Sequence, residues 1–376
     1  MGDSFVSSTS LPDYVLWERL NAKRAPIGFE LELTARCNND CRHCYINLPA
    51  GDRQAQRNEL SVEEISAIAD QAVELGALWV LITGGEPLLR KDFNEIYLIL
   101  KKKGLLVSVF TNACLITDTH IELFRKYPPR DIEVSVYGVT QATYESVTRK
   151  VGSYAAFRRG LDLLLQNGVK VRLKAMAIRS NAHELPEIAS FCRENTCDTF
   201  RFDPLLHLRY DSNPHRNAEI QAERLSPAEI VSIEQADEDR ADMLQQKCAE
   251  LIAPERSHID CDHLFHCGAG QSNFSISYDG YFQLCSSLHH PECIYNLRQG
   301  SLSDAWYNFA PRVRDMRSGN PEFLEKCRKC PIVNLCLWCP ANAHLECGQM
   351  DGWSDYFCRV AHARAEAIRA SSSAGD

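Results

Sequence analysis

The stretch TARCNNDCRHCYINLP, residues 34 to 49, places Cys37, Cys41 and Cys44 within eight positions and offers no fourth cysteine. It runs on from GFELELT (28–34), whose alternation of apolar and acidic residues reads as a strand. Clustered thiols in a loop behind a first strand point to metal. Structural zinc takes four ligands, so zinc would need His43 to complete the set. A cubane 4Fe-4S cluster on three thiolates instead leaves one iron open to a non-protein ligand, as a reactive cluster requires.

Working outward, residues 27 to about 210 alternate short apolar runs with helical patterns. Further strands are predicted at LWVLITG (78–84), LLVSVFTN (105–112), DIEVSVYG (131–138), KVRLKAMAI (170–178) and TFRFDPL (199–205). Helices are predicted between them at 60–76, 91–104, 117–127, 153–168 and 184–195, the first with a capping box from Ser61 to Glu64 and a terminating Gly76. This pattern predicts an α/β fold, a partial (β/α)6 TIM-like barrel in which the loops after the strands form the functional face. TARCNNDCRHCY, TGGEPLL and TNAC all lie on that face.

The expected organisation is an N-terminal extension (1–26), the partial barrel (27–210), a polar helical connector (211–258), a small cysteine-rich domain (259–362) and a flexible tail (363–376). Ser226, Pro227 and Glu229 mark a helix start within the connector. Past residue 259 the periodicity weakens, as in a domain organised by metal rather than by a core. Lys plus Arg number 41 against 50 Asp plus Glu, a net charge of -9 that makes nucleic acid or an anionic membrane a poor partner. The sequence shows neither a signal-peptide pattern nor a run of eighteen uncharged apolar residues, so a cytoplasmic location is expected. The 17 cysteines are the compositional outlier, and in a reducing compartment clustered cysteines bind metal more often than they pair.

Cys37, Cys41 and Cys44 with the following GGEP resemble the motif of radical S-adenosylmethionine (SAM) enzymes. The resemblance implies that the open iron takes the amino and carboxylate groups of SAM, whose reductive cleavage gives a 5'-deoxyadenosyl radical that abstracts hydrogen from a C-H bond. It implies cofactor contacts from Gly84, Gly85 and Glu86, with the glycines admitting a close backbone approach and Glu86 accepting from the SAM ammonium. His43 falls where the family often has an aromatic residue near the adenine. Ser135 falls near the ribose and methionine portion, with Tyr137 replacing a frequent Asp, and Asn112 and Arg149 match weaker positions.

A second cysteine field reads Cys261-x5-Cys267-x12-Gly280-x4-Cys285, then Cys327-x2-Cys330-x5-Cys336-x2-Cys339, then Cys358. Two zinc sites could use eight cysteines. The pattern resembles the SPASM domain of many radical SAM enzymes, with the last gap of the middle run one residue shorter than usual. That resemblance implies one auxiliary 4Fe-4S cluster on Cys261, Cys267, Cys285 and Cys339, and another on Cys327, Cys330, Cys336 and Cys358, with Cys347 as a substitute for Cys358. Three clusters plus SAM is the expected cofactor set.

For function, the resemblance implies a radical SAM/SPASM oxidoreductase acting on a ribosomally made precursor peptide, by oxidative cross-linking or by epimerisation. Its partners would include a reducing protein such as flavodoxin or ferredoxin; since few residues precede the first strand, leader recognition would fall to a separate leader-recognition protein, a short leader or direct binding to the barrel mouth. Cys114, just past the third strand, is a candidate hydrogen donor for epimerisation, set against a small buried hydrophobe. The alternative substrate is a small molecule or tetrapyrrole precursor undergoing oxidation or decarboxylation. Formylglycine formation in sulfatases ranks lower, because Ser286 stands where an acidic proton acceptor follows the cysteine of SYDGYFQLC. A non-catalytic electron-transfer protein is the reading from another class.

Overall fold

The structure, a computed structural model, describes residues 24–197, 200–251, 261–336 and 338–373. Six parallel strands appear in chain order: β1 (Gly28–Thr34), β2 (Trp79–Gly84), β3 (Leu106–Thr111), β4 (Asp131–Val136), β5 (Val171–Met176) and β6 (Arg201–Asp203), each paired with the next. The expected partial barrel is thereby present. Between these strands run α1 (Val62–Glu74), α2 (Phe93–Lys102), α3 (Asp118–Lys126), α4 (Gln141–Thr148), α5 (Ser153–Gln166) and α6 (Leu185–Asn195). The expected Ser61–Glu64 capping box closes the start of α1. Helix α4 is an element the sequence pattern did not reveal; about two turns, mostly polar and capped by Thr140, carry too little apolar periodicity to declare themselves.

Alternation along the strands sorts the two faces. Val80 and Ile82, Val107 and Val109, and Ile132, Val134 and Val136 are fully buried in the main apolar core. The intervening positions carry Glu32, Ser108, Glu133, Ser135, Lys174 and Met176 on the opposite face of the sheet. The polar connector forms α7 (Pro214–Glu223), α8 (Pro227–Ala236) and α9 (Glu238–Leu251), with the Ser226 capping box in place. Residues 252–260 of the connector and 1–23 of the N-terminal extension lie outside the described residues.

The cysteine-rich part is not held by metal alone. Strand β7 (Asn273–Ile276) pairs in parallel with β1, and β8 (Tyr281–Gln283) and β9 (Ile294–Asn296) extend the same sheet antiparallel, giving nine strands among the described residues. Phe274 stacks on Phe29 at 5.3 Å, and Phe282, Trp306 and Phe309 join the same core as Leu31 and Leu33. Three-residue runs such as YFQ are too short for periodicity to announce a strand, which is why this apolar continuity was not expected. Further on come α10 (Pro340–Cys347) and α11 (Asp355–Ser373). The tail expected to be flexible from residue 363 is helical through Ser373, because Val360, Ala361, Arg364 and Ala365 are buried against neighbouring elements.

Candidate active site and auxiliary cysteine sites

The exit of β1 is held by close backbone approach. A β-carbon at Gly84 would stand 2.3 Å from the Thr34 carbonyl oxygen, and one at Gly85 would stand 2.4 Å from that of Arg36. The N–H groups of Gly85 and Glu86 donate to the Thr34 and Arg36 carbonyls at 2.7 and 2.9 Å. A close approach between the two strand exits by itself demands these glycines. Glu86 is likewise turned inward. Its buried carboxylate accepts from the Leu88 and Asn112 N–H groups at 3.1 and 2.8 Å and from the Thr111 hydroxyl at 2.8 Å. Burial outweighs these donors and pushes the carboxyl up to about 7.

Arg36 pairs with Glu59 at 2.7 Å and starts the loop that carries Cys37, Cys41 and Cys44. All three thiols are pushed up chiefly by burial, and those of Cys37 and Cys41 also by neighbouring thiols of the loop. Donors converge on their sulfurs. The Asn39 N–H reaches Cys37 Sγ at 3.4 Å and Asn112 Nδ2 approaches it at 3.7 Å. The Tyr137 phenol tempers the rise of the Cys41 thiol, and the N–H groups of Ile46 and Asn47 that of Cys44. Donors aimed at sulfur favour thiolate, the form that binds metal.

Outside the loop, three arginines grip its backbone. Arg209, 4% exposed, donates to the Asn47 carbonyl at 3.2 Å and approaches that of Cys44 at 3.4 Å. Arg216 donates to the Cys41 carbonyl at 3.1 Å, and Arg149 to the Asp40 carbonyl at 2.8 Å. Arg149 also pairs with Asp40 and Glu219, so its guanidinium serves the loop. Asn112 similarly ties Asn38 to the end of β3 at 2.9 Å.

His43 is buried with its ring 5.2 Å from that of Tyr137, and burial pulls it down to about 4. Ser135 bonds the Tyr137 phenol. Cys114 is buried in the main core beside the loop, its Sγ 3.5 Å from the Ser153 carbonyl and 3.9 Å from Asn39 Nδ2, and burial pushes it up to about 11.

In the second cysteine field Cys267, Cys285 and Cys339 are neighbours, as are Cys327, Cys330, Cys336 and Cys358. Burial is the main force raising the Cys285 thiol to about 12, with Cys339 and Cys267 adding to it. Cys261 sits beside His266, 3.6 Å away, and influences Arg328. Cys336 is raised to about 12 by burial and then by Cys358, Cys327 and Cys330, so those four thiols share one neighbourhood. Cys347 is turned away, toward the Ala343 and Gln349 carbonyls.

Among the described residues no three His, Cys, Asp or Glu side chains converge on a single-ion position. A zinc ion would draw its thiolates to about 2.3 Å from one centre. In a polynuclear cluster each thiolate binds a different metal atom, so its ligands need not meet at one point. By donor chemistry and grouping, Cys37, Cys41 and Cys44 could hold one such group and each set of four another.

A cavity of about 1020 Å³ lies between β4 to β6 and the cysteine-rich part. Phe202, Trp338, Trp353, Phe357 and Met176 line it, together with Cys327, Cys330, Cys336 and Cys358. It opens at Met243 and Trp353, both more than a third exposed. Its lysines and arginines are matched by carboxylates: Lys174 and Arg201 on Glu133, Arg240 and Arg364 on Glu234, Lys326 on Glu322.

Two further features had no sequence signal. Glu32, 2% exposed, has no donor in hydrogen-bond geometry, and burial, reinforced by Glu30 and Asp279, pushes it up to about 8; the Tyr278 backbone N–H only tempers the shift. Tyr210 stacks on His289 at 3.6 Å and approaches Tyr45 at 4.9 Å. Only the fold brings residues 45, 210 and 289 together.

Residues 31–192 match the family model of the radical SAM superfamily, and residues 267–331 match that of the SPASM iron-sulfur cluster-binding domain. The chain is 26% identical over 321 residues to the antilisterial bacteriocin subtilosin biosynthesis protein AlbA of Bacillus subtilis (strain 168), covering 84% of this chain and 67% of that one. It is 25% identical over 357 residues to the Fe-coproporphyrin III synthase of Methanosarcina barkeri (strain Fusaro / DSM 804), covering 88% and 86%. The fold is similar to that of Streptococcus suis SuiB bound to its precursor peptide SuiA, with a TM-score of 0.66 at 18% identity, covering 95% and 83%. No helix among the described residues is long and apolar enough to cross a membrane.

Proposed function

We infer, for a chain that belongs to the radical SAM superfamily and carries a SPASM iron-sulfur domain, that its substrate is a peptide and its reaction an oxidative modification of that peptide. When bound, the cluster and SAM supply the hydrogen-abstracting radical. The chain's own residues do the rest. Cys37, Cys41 and Cys44 would hold the reactive cluster, and Arg149, Arg209 and Arg216 keep their loop in one geometry. Tyr137 and the loop N–H groups stabilise the thiolates, while buried His43 and Tyr137 exclude water from that side. Cys261, Cys267, Cys285 and Cys339, and Cys327, Cys330, Cys336 and Cys358, would hold two auxiliary clusters that take or return single electrons.

The observation that carries the peptide reading is the part of the cavity beyond Cys327, Cys330, Cys336 and Cys358, whose corner the auxiliary cluster would itself fill. It is broad, aromatic and open at Trp353, and every lysine and arginine lining it is already paired with a carboxylate. An apolar side chain on an extended peptide suits such walls. A tetrapyrrole bearing several carboxylates would have to take Lys174, Arg240 or Arg364 from the nearly buried Glu133 and Glu234, or rely on the exposed Lys326 and Arg201 pairs. AlbA, named for bacteriocin biosynthesis, supports the peptide reading, and the Fe-coproporphyrin III synthase keeps the tetrapyrrole as the second one.

The test is co-expression with short peptides encoded beside the gene, followed by mass spectrometry. A peptide two mass units lighter supports oxidation. Retention of one solvent deuterium at an α-carbon, with no mass loss in ordinary water, would turn the reaction to epimerisation. Consumption of coproporphyrin by the reconstituted enzyme, with every peptide unchanged, would overturn the peptide reading.

A further inference from the structure

Residues 204–213 cross from the end of β6 to α7 as a strap that meets all three cysteine neighbourhoods. His207 Nδ1 lies 2.7 Å from Asn342 Oδ1, three residues past Cys339, and its ring lies 6.0 Å from that of Phe357, beside Cys358. Arg209 holds the loop of Cys44. Tyr210 then turns the other way, its N–H reaching the Tyr45 carbonyl at 3.5 Å and its ring stacking on His289.

The geometry points to Tyr45, Tyr210 and His289 as the electron path between the reactive cluster and the first auxiliary cluster, an inference that rests on reading those cysteines as cluster ligands. Every step along it is a covalent bond or a direct contact. Tyr45 follows Cys44 in the chain. Its ring lies 4.9 Å from that of Tyr210, which lies 3.6 Å from that of His289 at an interplanar angle of 23°. His289 Nε2 sits 3.0 Å from the Ser286 carbonyl, and Ser286 follows Cys285. The rings are held on both sides: Gln283 lies 3.0 Å from His289 Nδ1, and Arg209, next to Tyr210, is locked on Asn47 and Asp211.

Close-packed π systems couple donor and acceptor better than aliphatic side chains of similar bulk, whose contacts leave gaps. One electron moves: the first auxiliary cluster is oxidised by one and the reactive cluster reduced by one. No bond forms or breaks along the path, and no proton leaves the rings. The electron originates from a one-electron reductant of the reduced flavin or iron-sulfur class.

The test uses the full chain with all clusters reconstituted, reduced by a photoreduced deazaflavin and freed of excess reductant. On mixing with SAM, which consumes one electron at the reactive site, loss of the auxiliary EPR signal in freeze-quenched samples reports the electron transfer. Tyr210→Phe keeps the ring and should keep the wild-type rate. Tyr210→Leu and, independently, Tyr45→Leu should slow it about tenfold or more, a barrier rise of about 1.4 kcal/mol, at unchanged midpoint potentials. A wild-type rate in either leucine variant that retains its clusters overturns the path, as does equal slowing in Tyr210→Phe. If wild-type protein binds about four irons rather than about twelve and shows no auxiliary signal, the cluster reading itself has failed.

Discussion

Single residues set the chemistry of the loop. Gly85 faces the Ala35 and Arg36 carbonyls at distances no β-carbon tolerates, so Gly85→Ala should cost more than about 2 kcal/mol, visible as a lower urea midpoint. Glu32 makes a pH prediction. Its folded carboxyl is pushed up to about 8, so between the unfolded carboxylate range and pH 8 the folded state binds the extra proton. Its contribution is fully present in acid and is lost as pH rises toward 8, by at most about 1.4 kcal/mol per pH unit. Glu32→Gln should therefore flatten the fall in stability between pH 5 and pH 8, and parallel wild-type and variant curves would remove the claim. The three loop cysteines were legible from spacing alone. Arg209 and Arg216 were not, because a guanidinium on a carbonyl more than 160 residues away has no local signature.

Among elements, the union of α8 with α11 is decided by charge. Glu234, almost completely buried, receives two hydrogen bonds from Arg364, at 2.9 and 2.6 Å, and one from Arg240 at 3.0 Å. Glu234→Ala strands two cations and should destabilise by about 3–5 kcal/mol, whereas a matched apolar replacement of all three should cost far less. Denaturation of the single and triple variants separates these outcomes. The six barrel strands were legible because each carries an apolar run bounded by turn residues and followed by a helical stripe. The strands β7 to β9 and the helical tail were not, since three- and four-residue strands and an Ala- and Ser-rich helix owe their order to what they pack against.

At the scale of the whole molecule, the sheet runs through from β6 to β9, so barrel and cysteine-rich part share one core. A chain ended after Leu251 would leave β1 with an open edge and Phe29 without its stacking partner. Such a fragment should aggregate on expression, and a soluble monomer with native-like circular dichroism would contradict the shared core.

The two sets of four cysteines sit on unequal foundations. Cys285 follows β8, whose Phe282 lies in the main core, whereas Cys327, Cys330, Cys336 and Cys358 flank a small separate cluster of Ile332, Leu335, Ala361 and Ala365 beside the open cavity. If both sets hold clusters as proposed, iron should leave in sequence under a chelator or in air, first from the cavity-facing set and later from the set anchored by the sheet. The lifetime of the loaded protein in air would then rest on a patch of four apolar side chains rather than on the loop where the radical would form.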